Sequence, residues 1–181
     1  SSATNGAMKA IRTNSGMIKK VYVPKYIYPL SSVLFNYIIF AISLIVLVVV
    51  SIVLKVYPTV YLLQAIIPLI LLLITAFGVG MILSTMAVFF RDLEYLWSVG
   101  LMIIMYASAI FYKPDRLLKS GFGWILKCNP LYLLIHNFRQ AVFGMPMNMK
   151  FLAASVLFAI VSVIVGLVFF YKKQDEFILH I

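Results

Sequence analysis

Acidic side chains are scarce in this chain. Five Asp and Glu stand among 181 residues, against fifteen Lys and Arg. The five are Asp92, Glu94, Asp115, Asp175 and Glu176, and none falls inside a long apolar run. Four stretches lack charge of either sign: Tyr26–Leu54, Val56–Phe90, Tyr95–Tyr112 and Phe151–Tyr171. An ion-coupled transporter usually carries an ionisable residue at membrane depth, and none is visible here. Cysteine is limited to Cys128, which excludes an internal disulfide and any multi-cysteine metal site. The two histidines, His136 and His180, are far apart. No G-x-x-x-x-G-K-[ST], H-E-x-x-H or G-x-S-x-G occurs, so a P-loop, a zinc-protease helix and a nucleophile elbow are absent from this sequence. No nucleophile and base are placed within evident reach of each other.

What is abundant is apolar surface. The hydrophobic fraction is 64%, against roughly 45–50% in soluble domains. A hydrocarbon core about 30 Å thick needs ~20 apolar residues of helix to cross it, and the uncharged stretches approach or exceed that. Backbone groups in lipid must be paired internally, so the spans are helices or a closed barrel. A barrel needs period-two alternation with a polar lumen face. Ile45-Val46-Leu47-Val48-Val49-Val50 and Leu69-Ile70-Leu71-Leu72-Leu73-Ile74 show none. The fold class expected is all-α: a polytopic helical membrane protein with four transmembrane helices and short re-entrant or interfacial helices. The net charge of +10 then belongs to residues flanking the spans and meeting anionic lipid headgroups, and not to a nucleic-acid surface.

The chain opens on Ser1 with no basic-then-apolar signal segment, and reads as a piece of a longer protein whose front is missing. Residues 1–31 form a basic segment and an elbow, with Ala7–Thr13 suited to a short amphipathic helix. Pro24 and Pro29, with tyrosines between, suit an interfacial bend. The first span is expected at 32–54, ended by Lys55 and Pro58. The second, 60–90, carries Pro68, Gly78 and Gly80, and at 1.5 Å per residue is too long to cross upright. Ala76, Gly80 and Ser84 share a face open to another helix. A polar turn, 91–94, precedes a short third span at 95–111.

Residues 112–150 are too apolar for a free loop and too charged for a span. Asn129-Pro130 supplies a cap and a proline at the first helical position. Two short helices, at Phe122–Leu126 and after Asn129, dip into or lie on one surface, the second ended by Gly144. The fourth span is 151–171, with Ser155, Ala159, Ser162 and Gly166 as a packing face. The tail is 172–181. Four spans place both ends on one side. The Lys and Arg count is nearly balanced, eight against seven, but their density beside span ends favours cytoplasmic ends.

The spans offer aromatic and hydroxyl side chains. Tyr37, Phe40, Phe89, Trp97, Tyr106 and Tyr112, with Phe77, Phe90 and Phe111, are candidates for walls that guide a sugar ring by its C–H face. Core packing or a lipid-facing position is the plainer reading of any one of them.

Met17-Ile18-Lys19-Lys20 followed by Val21 to Ser31 resembles the cytoplasmic approach to the third span of type-2 ATP-binding-cassette permeases. The nearest in character export polysaccharide, O-antigen or teichoic acid. Phe90-Arg91-Asp92-Leu93-Glu94-Tyr95 is similar to their turn between the fourth and fifth spans. Tyr106 to Tyr112, Asn129-Pro130-Leu131 with Arg139, and Lys172-Lys173…Phe177 resemble later landmarks. Ala109 stands where proline is common, which leaves the geometry there open.

The resemblance implies the last four of six spans, with both ends cytoplasmic in a bacterial inner or plasma membrane. It implies a second copy of the permease and a separate ATPase subunit that carries ATP and Mg, with no cofactor or metal on this chain. Lys9, Arg12, Lys19 and Lys20 would then face the ATPase, with Arg91, Asp92 and Glu94 as a smaller contact. Headgroup anchoring is the plainer reading of these charges. Tyr132, His136 and Arg139 would stand near the outer mouth, with lipid-linked glycan as substrate. The chain is not expected to be an enzyme. The rivals are a type-2 permease for drugs or other lipids, and a membrane enzyme or scaffold.

Overall fold

The structure, a computed structural model, describes residues 1–20, 23–53, 60–90, 92–112 and 123–177. Lys55, Pro58 and Arg91 lie outside the described residues, as do Val21, Tyr22 and the final four residues. Every element among the described residues is helical. In chain order they are α1 (Ser2–Thr13), α2 (Ser15–Ile18), α3 (Ile27–Val53), a 3-10 segment (Val60–Ala65), α4 (Ile66–Phe89), α5 (Leu93–Tyr106), α6 (Gly123–Cys128), α7 (Pro130–Val142) and α8 (Met149–Lys173).

Three helices are long and apolar enough to cross a membrane: Ile27–Val53, Tyr61–Phe89 and Met149–Lys173. The expected third span forms a shorter apolar helix, α5. Its 14 residues reach about 21 Å at 1.5 Å per residue, less than the hydrocarbon thickness. Three residues past its end, Ala109 adopts a φ of 50°. For a residue with a Cβ this left-handed conformation costs about 1–2 kcal/mol.

The helix ends obey ordinary chemistry. The Asn129 side chain accepts from Leu131 N at 3.0 Å, with Pro130 at the first helical position, where a missing N–H costs nothing. The Asn148 side chain accepts from Lys150 N and Phe151 N, starting α8 two residues before the expected span. Gly144, at φ 71°, follows α7. Pro68 sits in the first turn of α4, just after the 3-10 segment, where its lost donor has no intrahelical partner to forgo. Lys172 and Lys173 close α8 on the favourable end of its dipole.

α4 is the central helix. It packs most extensively on α8, then on α1 and α3. Lipid tails are as apolar as leucine, so helix association here depends on close van der Waals contact through small residues. The face expected on α8 is the one buried: Ser155, Ala159, Ser162 and Gly166. It meets α4 at Gly78, where an added β-carbon would lie 2.6 Å from backbone atoms of Ser162 and Val163. On another side of α4, Gly80 faces Ala7 of α1 and Val33 of α3. Ser84 and Thr85, fully buried, donate their hydroxyls to the Met81 carbonyl at 3.0 and 2.9 Å, so neither polar group is left unpaired in the core.

The amino-terminal segment is more deeply engaged than an interfacial helix. α1 begins at Ser2, and Ala7, Met8, Ala10 and Ile11 are buried against α3 and α4. These residues recur at three and four, the helical contact spacing.

Candidate functional site

Two ends of the bundle collect the polar chemistry. At one, the foot, the carboxy-terminal ends of α1, α4 and α8 meet the start of α5. Glu94 in the first turn of α5 is bound by both Lys9 and Arg12 of α1. Lys9 Nζ stands 3.2 Å from its carboxylate, and the Arg12 guanidinium donates to the other oxygen. Residues that the sequence places 82 positions apart are thus in one ion cluster. One turn on, Trp97 Nε1 donates to Thr4 Oγ1 at 3.2 Å. Leu93 and Trp97 pack on the buried cluster of Met8, Leu83 and Ala87. Asp92 is exposed at the α5 start, and its side chain makes no capping bond. Lys19 and Lys20 are exposed just past α2, beside Met17, which is also exposed.

The rest of the foot is closed by the tail. Phe177 is fully buried with Ile11, Met81, Val88 and Phe170. Its ring lies 5.3 Å from that of Phe170 and 6.1 Å from that of Phe89. Lys25 of the elbow donates to the Gln174 carbonyl at 2.5 Å and lies over the Phe177 ring. Lys173 covers the Phe89 ring and pairs with Glu176 at 2.7 Å. In the sequence Phe177 shows only as one aromatic directly after the polar run Gln174-Asp175-Glu176.

In the middle, Tyr37 donates its hydroxyl to the Leu69 carbonyl at 3.0 Å, tying α3 to α4, and its ring lies 5.9 Å from Phe40. A cavity of about 440 Å³ runs along α5 between its Ser98, Met102 and Met105 and Asn5, Ser108 and Leu131.

At the other end, the head, α7 holds the end of α5. Asn129 Nδ2 donates to Ser108 Oγ at 2.9 Å and to the Ile104 carbonyl at 3.3 Å. Arg139 donates to the Ala109 and Ile110 carbonyls at 3.3 and 3.4 Å. These two carbonyls lie three and four residues past the end of α5, in the turn that follows it. The guanidinium expected near the outer mouth is therefore bound to backbone at the left-handed turn. Its neighbours Tyr132, His136 and Phe151 form an aromatic cluster with ring centroids 5.1–6.2 Å apart. Tyr132 is buried. Burial lowers the His136 pKa from its ordinary value, and the charge of Arg139 lowers it further, so His136 is neutral at pH 7. Tyr106 is exposed with its ring 6.0 Å from Phe111, and Tyr112 is exposed beside them.

The structure does not gather the expected wall of aromatics into one surface. Trp97 and Phe89 are engaged at the foot, Tyr37 and Phe40 at the α3–α4 seam, and Tyr106 and Tyr112 at the head. Among the described residues no group of three His, Cys, Asp or Glu could hold a metal ion.

Residues 2–143 match the family described as ABC-2 type transporter. Two relatives, both the O-antigen export system permease protein RfbA of Klebsiella pneumoniae, are 34% and 32% identical over 179 residues. Each alignment covers 98% of this chain and 68% of the relative. With that match, and with three helices able to cross a bilayer, this multi-pass membrane chain belongs to the ABC-2 type transporter family.

Proposed function

We propose that the chain is the permease subunit of an ATP-driven exporter that moves lipid-linked polysaccharide across the bacterial cytoplasmic membrane. The observation that carries this reading is likeness along 98% of its length to O-antigen export permeases. The scarcity of acids supports it: with no ionisable residue expected at depth, the driving energy comes from another chain. That chain is an ATPase subunit, which holds ATP and Mg, and a second copy of the permease completes the path. In this reading ATP and Mg are held by that partner and not by this chain.

In this reading the foot is cytoplasmic and both ends of the chain lie there. Lys9, Arg12, Lys19 and Lys20, with Arg91, Asp92 and Glu94, form the face toward the ATPase. Met17, Lys19 and Lys20, exposed just past α2, make the direct contact. Glycan passes the aromatic residues Tyr37, Phe40, Tyr106 and Tyr112, with Phe89 and Trp97 supporting them from the foot. Tyr132, His136 and Arg139 shape the outer mouth.

Deleting the permease gene tests the reading. Lipid-linked glycan should accumulate inside the cell, and an ATPase with Walker motifs should co-purify with the tagged permease. Unchanged surface glycan together with no co-purifying ATPase would overturn it. ATP-dependent efflux of a drug or another lipid, with glycan unaffected, would move the substrate assignment elsewhere.

A further inference from the structure

One tail residue joins four elements at the foot. Phe177, four residues past the end of α8, is fully buried with Ile11 of α1, Met81 and Val88 of α4, and Phe170 of α8. Ile18, the last residue of α2, packs against the same cluster. The Gln174 carbonyl, at the carboxy-terminal cap of α8, accepts from Phe177 N at 3.4 Å and from Lys25 Nζ at 2.5 Å. The Lys25 ammonium also lies 5.9 Å from the centre of the Phe177 ring. Lys19 and Lys20 stand in the chain between these two holds, directly after Ile18 and before Lys25.

We infer that the tail, Gln174 to Phe177, is the seat of the basic segment that meets the ATPase, with Lys25 and Phe177 as its positioning residues. The inference rests on the reading that Met17, Lys19 and Lys20 touch that partner. A basic segment without a seat must be ordered when the partner binds, and that ordering weakens binding. Here Lys19 and Lys20 are flanked on one side by the Phe177 cluster, through Ile18, and on the other by Lys25. Neither hold is local: Lys25 and Gln174 are 149 positions apart. Their bond is charge-assisted, the strong kind, and it places a cation at the favourable end of the α8 dipole. These contacts are made within the chain, and they stand whatever else covers the bundle. They also give the basic segment a direct hold on the last span. A pull on Lys19 and Lys20 reaches α8 through Lys25 and Phe177 without passing through α3.

The test uses the whole permease in detergent and the ATPase that co-purifies with it, and measures the affinity of one for the other. Lys25→Met keeps the aliphatic stem and removes the ammonium. It should weaken binding by about 5–30-fold, the factor that follows from ordering one further residue. Lys25→Arg, which still donates, should restore the affinity. Phe177→Ala should weaken binding as Lys25→Met does. The two together should be no weaker than the worse single variant, since both act through one seat. Lys25→Met combined with Lys20→Gln should cost less than the product of their separate factors, because a seat matters less once the contact it serves is impaired. Where Phe177→Ala does not accumulate, Lys25→Met and its combination with Lys20→Gln carry the test.

Unchanged affinity in Lys25→Met would overturn the seat. So would full multiplication of the Lys25→Met and Lys20→Gln factors, since Lys25 would then be one more direct contact of the ATPase. An ATPase that binds with the same affinity to Lys20→Gln would overturn the contact assignment, and the seat with it. If no ATPase co-purifies even with the unmodified permease, the exporter reading itself fails, a result distinct from the others.

Discussion

The backbone of Gly166 in α8 lies directly against the Gly78 carbonyl of α4. A β-carbon built on Gly166 would stand 2.5 Å from that oxygen and 3.1 Å from the Met81 β-carbon. No flexible side chain is available to give way, because the obstacle is backbone. Gly166→Ala should therefore separate the two helices and cost about 1–3 kcal/mol, the usual range for overpacking. Gly100→Ala is the control. Its β-carbon would meet only Trp97 at 3.9 Å, and glycine in a helix interior is worse than alanine by roughly 0.5–1 kcal/mol. Thermal unfolding in detergent should fall for the first variant and hold or rise for the second.

Phe177 anchors the tail among Ile11, Met81, Val88 and Phe170. Truncating a fully buried phenylalanine to alanine costs about 3–5 kcal/mol. Phe177→Ala should lower the unfolding temperature and expose the tail to limited proteolysis after Lys172 or Lys173. Phe177→Leu should recover most of the loss. Equal protease resistance in all three proteins would show the tail to be bound by something other than this side chain.

Protonation of His136 opposes the fold. Its folded-state pKa is lowered by burial first and by Arg139 second. The unfolded chain thus takes up a proton more readily than the folded one. The stability contributed by neutral His136 is complete above about pH 6.5, the ordinary value, and is lost as pH falls through the lowered one. Unfolding measured from pH 7.5 to 5 should show stability declining at the acid end. In His136→Phe, which keeps a ring beside Tyr132 and Phe151, that part of the decline should vanish.

Cys128 reports orientation. It is exposed and the sole cysteine of the chain. With the head outside, a membrane-impermeant maleimide should label it in intact cells. Labelling confined to broken cells would reverse the assignment of both ends. The cysteine should be tracked by peptide mapping, so that a reaction elsewhere in the expressed protein is not counted.

Much of the architecture is local and therefore legible in the sequence. Uncharged runs require helices wherever backbone meets lipid. The Ser155, Ala159, Ser162 and Gly166 face follows from the helical period, and it is buried. Asn129-Pro130 announces a helix start by chemistry within two residues, and it caps α7. The family resemblance rested on the same kind of short pattern.

Other features depend on partners that no local pattern names. Lys9 and Arg12 read most plainly as headgroup anchors, with ATPase contact implied by the resemblance, until the packing of α1 on α4 brings them to Glu94. Arg139 reads as a residue of the outer mouth until the turn after α5 brings the Ala109 and Ile110 carbonyls to it. The polar opening of the chain reads as surface until Gly80 of α4 admits Ala7. Hydrophobic period determines which segments enter the membrane, because each residue meets lipid or water on its own account. Which side chains pair depends on how closely whole helices approach, and that approach is set by glycines and small residues far away in the chain.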